Sequence, residues 1–269
     1  MIANGLKTLW AAGKPVLNGW CSIGNAFTAE IMAAQGFDSV TVDMQHGALD
    51  YTSLLPMFQA MRASGVVLMA RVPWNEPGIV MKALDAGAYG IICPMVNSAE
   101  DAARFVSYVR YPPRGQRSYG PTRVVFAAGA DYAAEANDNV LAFAMIETAD
   151  GMANLAAIAA TPGLDGIYVG PADLTLSLSQ GRLAPGFDRD EPQMVAALQR
   201  IVATCKAHGI HAALHCGTPE YAARAVGWGY DMVTIHNDSR YLAAAAAAVV
   251  SGFRALTGGP SDTADSGAY

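Results

Sequence analysis

Short apolar runs alternate with longer segments of helical period along most of this 269-residue chain. An apolar run of four to eight residues rich in Val and Ile is typical of a strand buried on both faces of a parallel sheet. We predict eight such strands, at Val16–Ser22, Ser39–Asp43, Val66–Arg71, Gly90–Pro94, Ala142–Glu147, Gly166–Gly170, His211–His215 and Met232–His236. Eight strand–helix units in about 250 residues predict a (β/α)8 TIM barrel rather than an open, doubly wound sheet.

The segments between these strands space their apolar residues as amphipathic helices do. We predict helices at Ala26–Gln35, Ser53–Ala63, Ile79–Ala86, Ala99–Val109, Met152–Ala160 and Met194–Ala207. Two longer connections, Arg110–Ala130 and Gln180–Glu191, are long enough to be functional loops. No shift in composition marks a second domain, so we expect one barrel over residues 1–257. Residues 258–269 are rich in Gly, Ser and Asp, and we expect them to form a disordered tail.

Composition and charge exclude several classes of function. The formal net charge is −6 and no run of like charges occurs, which argues against a nucleic-acid surface or a polybasic membrane patch. No apolar stretch approaches the roughly 20 residues that a membrane-spanning helix needs. The N-terminus lacks a signal-peptide pattern, so we expect a cytoplasmic protein with free thiols. Its four cysteines form no C-x-x-C motif: Cys21, Cys93, Cys205 and Cys216.

Ionisable side chains stand at the predicted carboxyl ends of four strands. Asp43 and His46 follow the second strand, Arg71 ends the third, Glu147 ends the fifth, and Asp173 follows the sixth. In a TIM barrel these ends meet on one rim, which is where such enzymes carry their chemistry. We therefore expect the five side chains to converge on one site.

Glu147 and Asp173 are candidate ligands of Mg²⁺ or Mn²⁺, because such ions take one or two protein carboxylates and complete their shell with water and substrate oxygens. Each carboxylate could instead cap the helix that follows its strand. The intervening Gly170, Pro171 and Ala172 allow close backbone approach and leave the next N–H groups free for a substrate carboxylate. An ordinary strand-to-helix turn has the same sequence, so both alternatives stay open.

His46 follows Asp43 by three residues, a spacing at which a carboxylate can orient an imidazole, although a structural hydrogen bond is an equal alternative. Arg71 leaves an apolar strand, and a buried guanidinium needs a carboxylate partner from the protein or from a ligand.

Lysine and cysteine positions bear on two other chemistries. Schiff-base catalysis is disfavoured because no lysine lies at a predicted strand end: Lys7, Lys14, Lys82 and Lys206. A Zn²⁺ site is conceivable because four soft ligands do lie at strand ends: Cys93, His215, Cys216 and His236. Their spacing matches no zinc motif, and buried cysteine acting as a small apolar residue is the favoured interpretation.

Five stretches, in chain order, resemble the HpcH/HpaI family of metal-dependent pyruvate aldolases, which includes 4-hydroxy-2-oxoheptanedioate aldolase and 2-keto-3-deoxy sugar-acid aldolases. They are FDSVTVDMQHG, ARVPWNEPGIVMKALDAGAYGIICPMV, VRYPPRGQRSYGP, MIETADG and DGIYVGPADLTLSLS. The match runs from about Trp20 to Val233. The resemblance implies a (β/α)8 barrel whose last helix is exchanged with a neighbouring subunit, in a homo-oligomer that is typically a hexamer.

The resemblance also implies roles for individual residues. Glu147 and Asp173 would bind the divalent metal, Mg²⁺ or Mn²⁺, with Co²⁺ as a further alternative. Arg71 would contact the keto oxygen of the 2-oxo acid and stabilise its enolate. His46 with Asp43 would form an acid–base dyad, assisted by one residue from an adjacent subunit, Asp85 of LDAG. Trp20 would line the pocket, and the backbone at Gly170, Pro171 and Ala172 would receive the substrate carboxylate.

The predicted activity is therefore that of a class II aldolase. It would enolise pyruvate or a related 2-oxo acid, add it reversibly to an aldehyde, and cleave 4-hydroxy-2-oxo acids. One alternative is an acyl-CoA lyase of the citramalyl or malyl-CoA type, which the shortage of basic residues mildly disfavours. Another is a non-catalytic barrel that binds oxo acids, which the presence of both His46 and Asp43 disfavours. His215 and His236 match nothing in the family pattern, so the sequence does not identify the aldehyde.

Overall fold

Eight parallel strands close into a barrel in the computed structural model, which describes residues 1–258. Each strand is hydrogen-bonded to the next along the chain, and the first pairs with the last. The strands are β1 (Val16–Cys21), β2 (Ser39–Asp43), β3 (Val67–Arg71), β4 (Gly90–Cys93), β5 (Leu141–Ile146), β6 (Gly166–Val169), β7 (His211–Cys216) and β8 (Met232–Ile235). The predicted TIM barrel is confirmed, and each predicted strand lies within one residue of its observed bounds.

Thirteen α-helices and one 3-10 helix at Arg62–Ser64 accompany the strands in residues 1–258. The α-helices are α1 (Gly5–Ala11), α2 (Ala26–Ala33), α3 (Tyr51–Met61), α4 (Pro77–Ala86), α5 (Ala99–Val109), α6 (Val124–Ala128), α7 (Tyr132–Asn139), α8 (Ala149–Ala153), α9 (Leu155–Ala159), α10 (Pro171–Ser179), α11 (Pro192–His208), α12 (Pro219–Trp228) and α13 (Asp238–Thr257).

Five of the six predicted helices are observed as single helices, and six further α-helices of the described part of the chain lie outside the predicted segments: α1, α6, α7, α10, α12 and α13. The predicted helix Met152–Ala160 is replaced by the two short helices α8 and α9, which meet at Asn154. The long connection predicted at Arg110–Ala130 contains α6, and α7 follows it. Helix α7 was not predicted because it buries only two of its side chains, Tyr132 and Ala136, and so has little apolar period.

Aspartates at the amino ends of three strands serve the barrel rather than a site. Each accepts a hydrogen bond from a backbone N–H of a neighbouring strand at 2.7–2.9 Å: Asp38 from Leu17, Asp165 from Ala142, and Asp231 from Ala212. Helix α1 covers this end of the barrel, where its Trp10 Nε1 donates to the Asp231 carbonyl at 3.0 Å. The opposite rim, at the carboxyl ends of the strands, is left for a functional site.

Helix α13 extends away from the barrel with most of its apolar side chains uncovered. Asp238, at its first turn, is its one buried residue. The exposed apolar residues include Val249, Phe253 and Leu256, which are 72%, 66% and 89% exposed. Residues 259–269, most of the predicted tail, lie outside the described residues.

Two sequence predictions concern membranes and thiols. Within residues 1–258 no helix combines the length and the apolar character needed to cross a membrane. All four cysteines are free and buried, as expected from their spacing.

Candidate functional site at the barrel rim

A cavity of about 520 Å³ opens at the carboxyl ends of the strands. It collects nine of the residues singled out in the sequence: Trp20, Asp43, His46, Arg71, Glu147, Gly170, Pro171, Ala172 and Asp173. Asp85 is not among its lining residues in the described part of the chain. The predicted convergence of the strand-end side chains is therefore what the fold produces.

Arg71 finds its partner inside the protein, in Asp43. The guanidinium donates from Nε to Oδ1 at 2.8 Å and from Nη2 to Oδ2 at 2.6 Å. These residues are register partners at the ends of β2 and β3, so their side chains leave the sheet side by side. Two of the five guanidinium N–H groups are used by this pair, which leaves three for other partners, and Arg71 lines the cavity.

Trp20 completes this cluster from β1. Its Nε1 donates to Asp43 Oδ2 at 3.2 Å, and the Arg71 Cζ lies 4.9 Å from the centre of the indole ring. Burial on its own would raise the pKa of Asp43, but the Arg71 guanidinium and two backbone N–H groups hold this pKa below its ordinary value. Asp43 is therefore a stable carboxylate that fixes the orientation of both neighbours.

His46 stands exposed at the mouth of the cavity. Its backbone N–H donates to Asp43 Oδ1 at 3.3 Å, and that of Gln45 does so at 3.1 Å. Within residues 1–258 no hydrogen bond joins the His46 ring to the Asp43 carboxylate, whose oxygens serve Arg71, Trp20 and the backbone instead. Residues 43–46 thus form a turn in which the backbone, not the His46 ring, contacts the Asp43 carboxylate. The acid–base dyad of His46 and Asp43 stays a prediction.

Glu147 follows β5 and is buried, with 3% of its surface exposed. Its Oε1 accepts the backbone N–H of Met95 at 2.7 Å. A Cβ on Gly170 would lie 2.6 Å from Glu147 Oε2, so only glycine lets the turn after β6 approach this carboxylate. Burial, assisted by the negative charge of Asp173, raises the pKa of Glu147 to about 7.

The helix-capping alternative is wrong for both carboxylates. Thr148, not Glu147, caps α8 through its side chain. The N-cap of α10 is Gly170, and Asp173 lies in the first turn with no capping hydrogen bond from a side chain. Glu147 and Asp173 both line the cavity, and within the described residues neither accepts a helix-capping hydrogen bond.

The turn after β6 offers an anion-binding backbone. Helix α10 has nine residues and begins at Pro171, which has no N–H to leave unpaired. In residues 1–258 no hydrogen bond engages the backbone N–H of Ala172 or Asp173. These donors stand beside the two carboxylates, so a bound anion there would also be placed next to a bound cation.

The donor set fits a hard divalent ion better than zinc. Glu147 and Asp173 are two carboxylates that cap no helix of the described chain, and Gly170 packs closely against Glu147. They match the one or two protein ligands that Mg²⁺ or Mn²⁺ takes. In residues 1–258 no group of three or more His, Cys, Asp or Glu side chains is placed to hold a metal. The soft ligands considered for Zn²⁺ do not form such a group, and Cys93 and Cys216 are buried with raised thiol pKa values caused by burial.

Asp85 lies on α4 and pairs with a different arginine. Arg117 donates from Nη2 to Asp85 Oδ1 at 2.7 Å, and its own side chain is fully buried. The guanidinium is stacked on Tyr111, 4.4 Å from the ring centre. Within one chain, the long connection before α6 therefore fixes the Asp85 carboxylate outside the cavity.

Several cavity residues were not identified as site residues from the sequence. Phe187 comes from the connection between α10 and α11, whose only signal was its length, and Ser22, Asn237, Ser239 and Arg240 follow β1 or β8. His215 and His236 were noted at strand ends, and both line the cavity. For all of these residues except Phe187, a position at or after the carboxyl end of a barrel strand was the sequence signal that could have identified them as site residues.

Known proteins match this chain along most of its length. The model of the HpcH/HpaI aldolase/citrate lyase family matches residues 19–248. A hydroxypyruvate/pyruvate aldolase of Rhizorhabdus wittichii is 38% identical over 94% of this chain and 100% of its own. A 5-keto-4-deoxy-D-glucarate aldolase of Klebsiella pneumoniae is 35% identical over 87% of this chain and 91% of its own. The crystal structure of an HpcH/HpaI aldolase/citrate lyase family protein from Burkholderia cenocepacia superposes with a TM-score of 0.84 at 30% identity, covering 93% of this chain and 98% of that one.

Proposed function

We propose a mechanism for this chain, which belongs to the HpcH/HpaI aldolase/citrate lyase family and is a pyruvate aldolase, a carbon–carbon lyase. It enolises a 2-oxo acid such as pyruvate or hydroxypyruvate and adds it reversibly to an aldehyde. The reverse reaction cleaves 4-hydroxy-2-oxo acids. The observation that carries the proposal is the pair of rim carboxylates, Glu147 and Asp173, beside the free N–H groups of the turn after β6.

Glu147 and Asp173 would hold a divalent ion, Mg²⁺ or Mn²⁺, with Co²⁺ as a third candidate. When bound, such an ion polarises the keto group of the 2-oxo acid and stabilises negative charge on its oxygen. The backbone N–H groups of Ala172 and Asp173 would donate hydrogen bonds to the substrate carboxylate in the same place. Support comes from the pKa of Glu147, which is raised first by burial and to a lesser extent by the negative charge of Asp173, since a bound cation would compensate both effects.

Arg71 stabilises the enolate. Its hydrogen bonds to Asp43 orient the guanidinium and leave three N–H groups, which can donate to the oxygen where charge develops. The indole ring of Trp20 packs against the Arg71 guanidinium and restricts its movement. Asp43 is a positioning residue in this scheme, because its carboxylate is occupied by Arg71 and Trp20.

His46 moves the proton of the aldol hydroxyl. Its exposed side chain at the mouth is accessible to a bound aldehyde, and general acid–base catalysis of this kind contributes about 10² to 10⁴ in rate. The turn that begins at Asp43 sets its position through the two backbone hydrogen bonds.

The other two candidate functions are not favoured. Both curated relatives described above are aldolases, and the match to the first covers 100% of that protein, which disfavours an acyl-CoA lyase. A barrel that only bound oxo acids would need neither the His46 side chain at the mouth nor a guanidinium with spare donors.

We further propose that the active form is a homo-oligomer, a hexamer, in which α13 packs on a neighbouring subunit. The exposed Val249, Phe253 and Leu256 of α13 support this, as do Phe27 and Ile31 of α2, which are 68% and 48% exposed. In such an assembly Asp85, which pairs with Arg117 and does not line the cavity of its own chain, would serve the cavity of an adjacent subunit. One barrel domain over residues 1–257 suffices for this arrangement.

A retro-aldol screen tests the function directly. The purified protein is incubated with a set of 4-hydroxy-2-oxo acids and Mg²⁺, Mn²⁺ or Co²⁺, and released pyruvate is measured with a coupled assay. Cleavage that requires a divalent ion is the expected result. Full activity of protein whose metal content has been shown to be negligible would contradict the role of Glu147 and Asp173.

A further inference from the structure

Two histidines that the proposed mechanism does not use line the β7–β8 side of the cavity, His215 within β7 and His236 after β8. Phe187 lines the same side from the connection between α10 and α11. The groups assigned to the metal and the 2-oxo acid follow β3, β5 and β6 instead. The β7–β8 side is therefore a part of the cavity that these groups leave open to the aldehyde, with His46 at the mouth after β2.

Both ring nitrogens of His215 are hydrogen-bonded within the protein. Nε2 lies 3.2 Å from the carbonyl oxygen of His236, and Nδ1 lies 3.1 Å from the hydroxyl of Tyr168. A carbonyl oxygen only accepts, so Nε2 must carry a hydrogen. In a neutral imidazole Nδ1 is then the acceptor, and the Tyr168 hydroxyl donates to it.

The other buried polar groups inside the barrel are compatible with a hydrogen bond donated by the Tyr168 hydroxyl to His215 Nδ1. The Tyr168 hydroxyl also lies 2.8 Å from Thr234 Oγ1, and either hydroxyl of such a pair can donate. Because Tyr168 gives its single hydrogen to His215, the Thr234 hydroxyl donates to Tyr168. Thr234 Oγ1 itself accepts from Asn18 Nδ2 at 2.9 Å, and Asn18 Oδ1 accepts from two hydroxyls of β2 at 2.7 and 3.1 Å.

The surroundings of the ring also favour the neutral form. Burial, and after it the positive charge of Arg71, lower the pKa of His215 to about 3. One face of the imidazole is stacked on Phe187, with ring centres 4.8 Å apart and an angle of 17° between planes. The ring meets Trp20 edge-on at 5.0 Å. A neutral imidazole whose two nitrogens are both engaged presents carbon surface to the cavity rather than a proton-transfer group.

Phe187 belongs to a segment, residues 180–191, that is anchored beside His215 and that we call the strap. Asp188 of the strap accepts from the Gly217 backbone N–H and from Thr218 Oγ1, both at 2.7 Å. A Cβ on Gly217 would lie 3.2 Å from the Cβ of Phe187, so the glycine permits this close approach. The Asp188 carboxylate and the stack of Phe187 on His215 hold this part of the strap against the end of β7, while the Tyr221 hydroxyl, which donates to the Arg189 carbonyl at 2.6 Å, ties the strap to α12.

We propose that His215 is a positioning residue for the aldehyde half of the reaction: its neutral ring holds Phe187, and with it the strap, as the wall against which the aldehyde binds. This inference rests on the proposed function. Loss of the stack would loosen the aldehyde side of the cavity and leave Arg71, Glu147 and Asp173 in place.

The test separates the two halves of the reaction. Phe187→Ala and His215→Ala are each expected to raise the KM for glycolaldehyde in the addition reaction about threefold to tenfold, the contribution of one aromatic pair. Deuterium exchange at the methyl group of pyruvate needs no aldehyde, and it is expected to stay within about twofold of the wild-type rate. His215→Phe keeps a ring for the stack and is expected to return the KM close to the wild-type value.

Asp190→Ala is the matched control, because it alters the same strap but removes only an ion pair with Arg224 at the surface. Unchanged KM in both alanine variants, or a parallel loss of exchange and addition, would overturn the inference. A wild-type protein that exchanges no deuterium into pyruvate would instead contradict the proposed function.

The proton position is tested without any assay of activity. Nitrogen-15 NMR of the intact protein with labelled histidine should show His215 as a neutral ring protonated at Nε2 from about pH 5 to about pH 9. Tyr168→Phe, which removes the donor to Nδ1, should shift that nitrogen signal while the Nε2 proton remains. A His215 ring that gains a proton within this range overturns the inference.

Discussion

Arg71 holds the Asp43 carboxylate with two hydrogen bonds, 2.8 Å from Nε and 2.6 Å from Nη2, across the ends of two adjacent strands. The side chains are 12% and 3% exposed, so solvent screens the pair little. Removing one member of a buried pair leaves an uncompensated charge, whereas removing both does not. The pair therefore affects stability and catalysis in ways that can be measured separately.

Asp43→Ala is expected to lower the free energy of unfolding by about 3–5 kcal/mol, because Arg71 would remain buried without its carboxylate. The double variant Asp43→Ala/Arg71→Met carries neither charge and is expected to be less destabilised than Asp43→Ala. Urea unfolding followed by circular dichroism compares the three proteins. Wild-type stability of Asp43→Ala would show that the pair contributes nothing in solution.

Arg71→Ala is expected to slow both pyruvate deuterium exchange and retro-aldol cleavage by about 10² to 10³, because it removes donors to the enolate oxygen. His46→Ala is expected to slow cleavage by about 10² to 10⁴ and to retain part of the exchange, since it acts on the aldol hydroxyl. NMR of the pyruvate methyl group beside a coupled cleavage assay measures both rates. Arg71→Ala with both rates at the wild-type level would refute the enolate assignment.

Metal affinity is expected to increase with pH up to about 7 and then to level off, because the ion needs the carboxylate form of Glu147, whose pKa burial raises to about 7. Isothermal titration of the metal-free protein with Mn²⁺ across this range, with the number of protons released, is the measurement. An affinity independent of pH would contradict a buried Glu147 ligand.

The free energy of unfolding of the metal-free protein should decrease with rising pH, whereas the metal affinity increases. Between the ordinary Glu value of 4.5 and about 7, the unfolded chain has released a proton that folded Glu147 retains. The free energy of unfolding is therefore expected to fall as pH rises through this interval. Asp173→Asn removes a charge that contributes to the raised pKa, so its decrease should be smaller. Urea unfolding at a series of pH values compares the two proteins.

Inactive His46→Ala and inactive Asp85→Ala subunits are expected to regenerate activity when mixed, because a mixed interface can combine one intact His46 with one intact Asp85. The mixture is unfolded, refolded and assayed beside each variant refolded alone, and light scattering gives the oligomeric state. Phe253→Ser/Leu256→Ser on α13 should weaken assembly. An active monomer would rule out a shared site.

Much of this protein follows from local pattern. A parallel strand buried on both faces is a short apolar run, so the eight strands could be located within one residue from the positions of such runs along the chain. The position of Asp43, Arg71, Glu147 and Asp173 at strand ends follows as directly, because a polar side chain ends such a run. Barrel closure then places all four on one rim.

The partners of these side chains were decided only by the tertiary structure. A spacing of three residues made His46 one candidate partner of Asp43, and the family resemblance implied the same pair. The register of β2 and β3 instead places Arg71 beside Asp43, 28 residues away in the chain. Phe187 stacks on His215 because of the path taken by the connection between α10 and α11. That path cannot be read from any periodicity in the sequence. Spacing determines which residues share a strand or a helix face, whereas contacts across a closed ring depend on register and loop path, which are set only when the whole barrel packs.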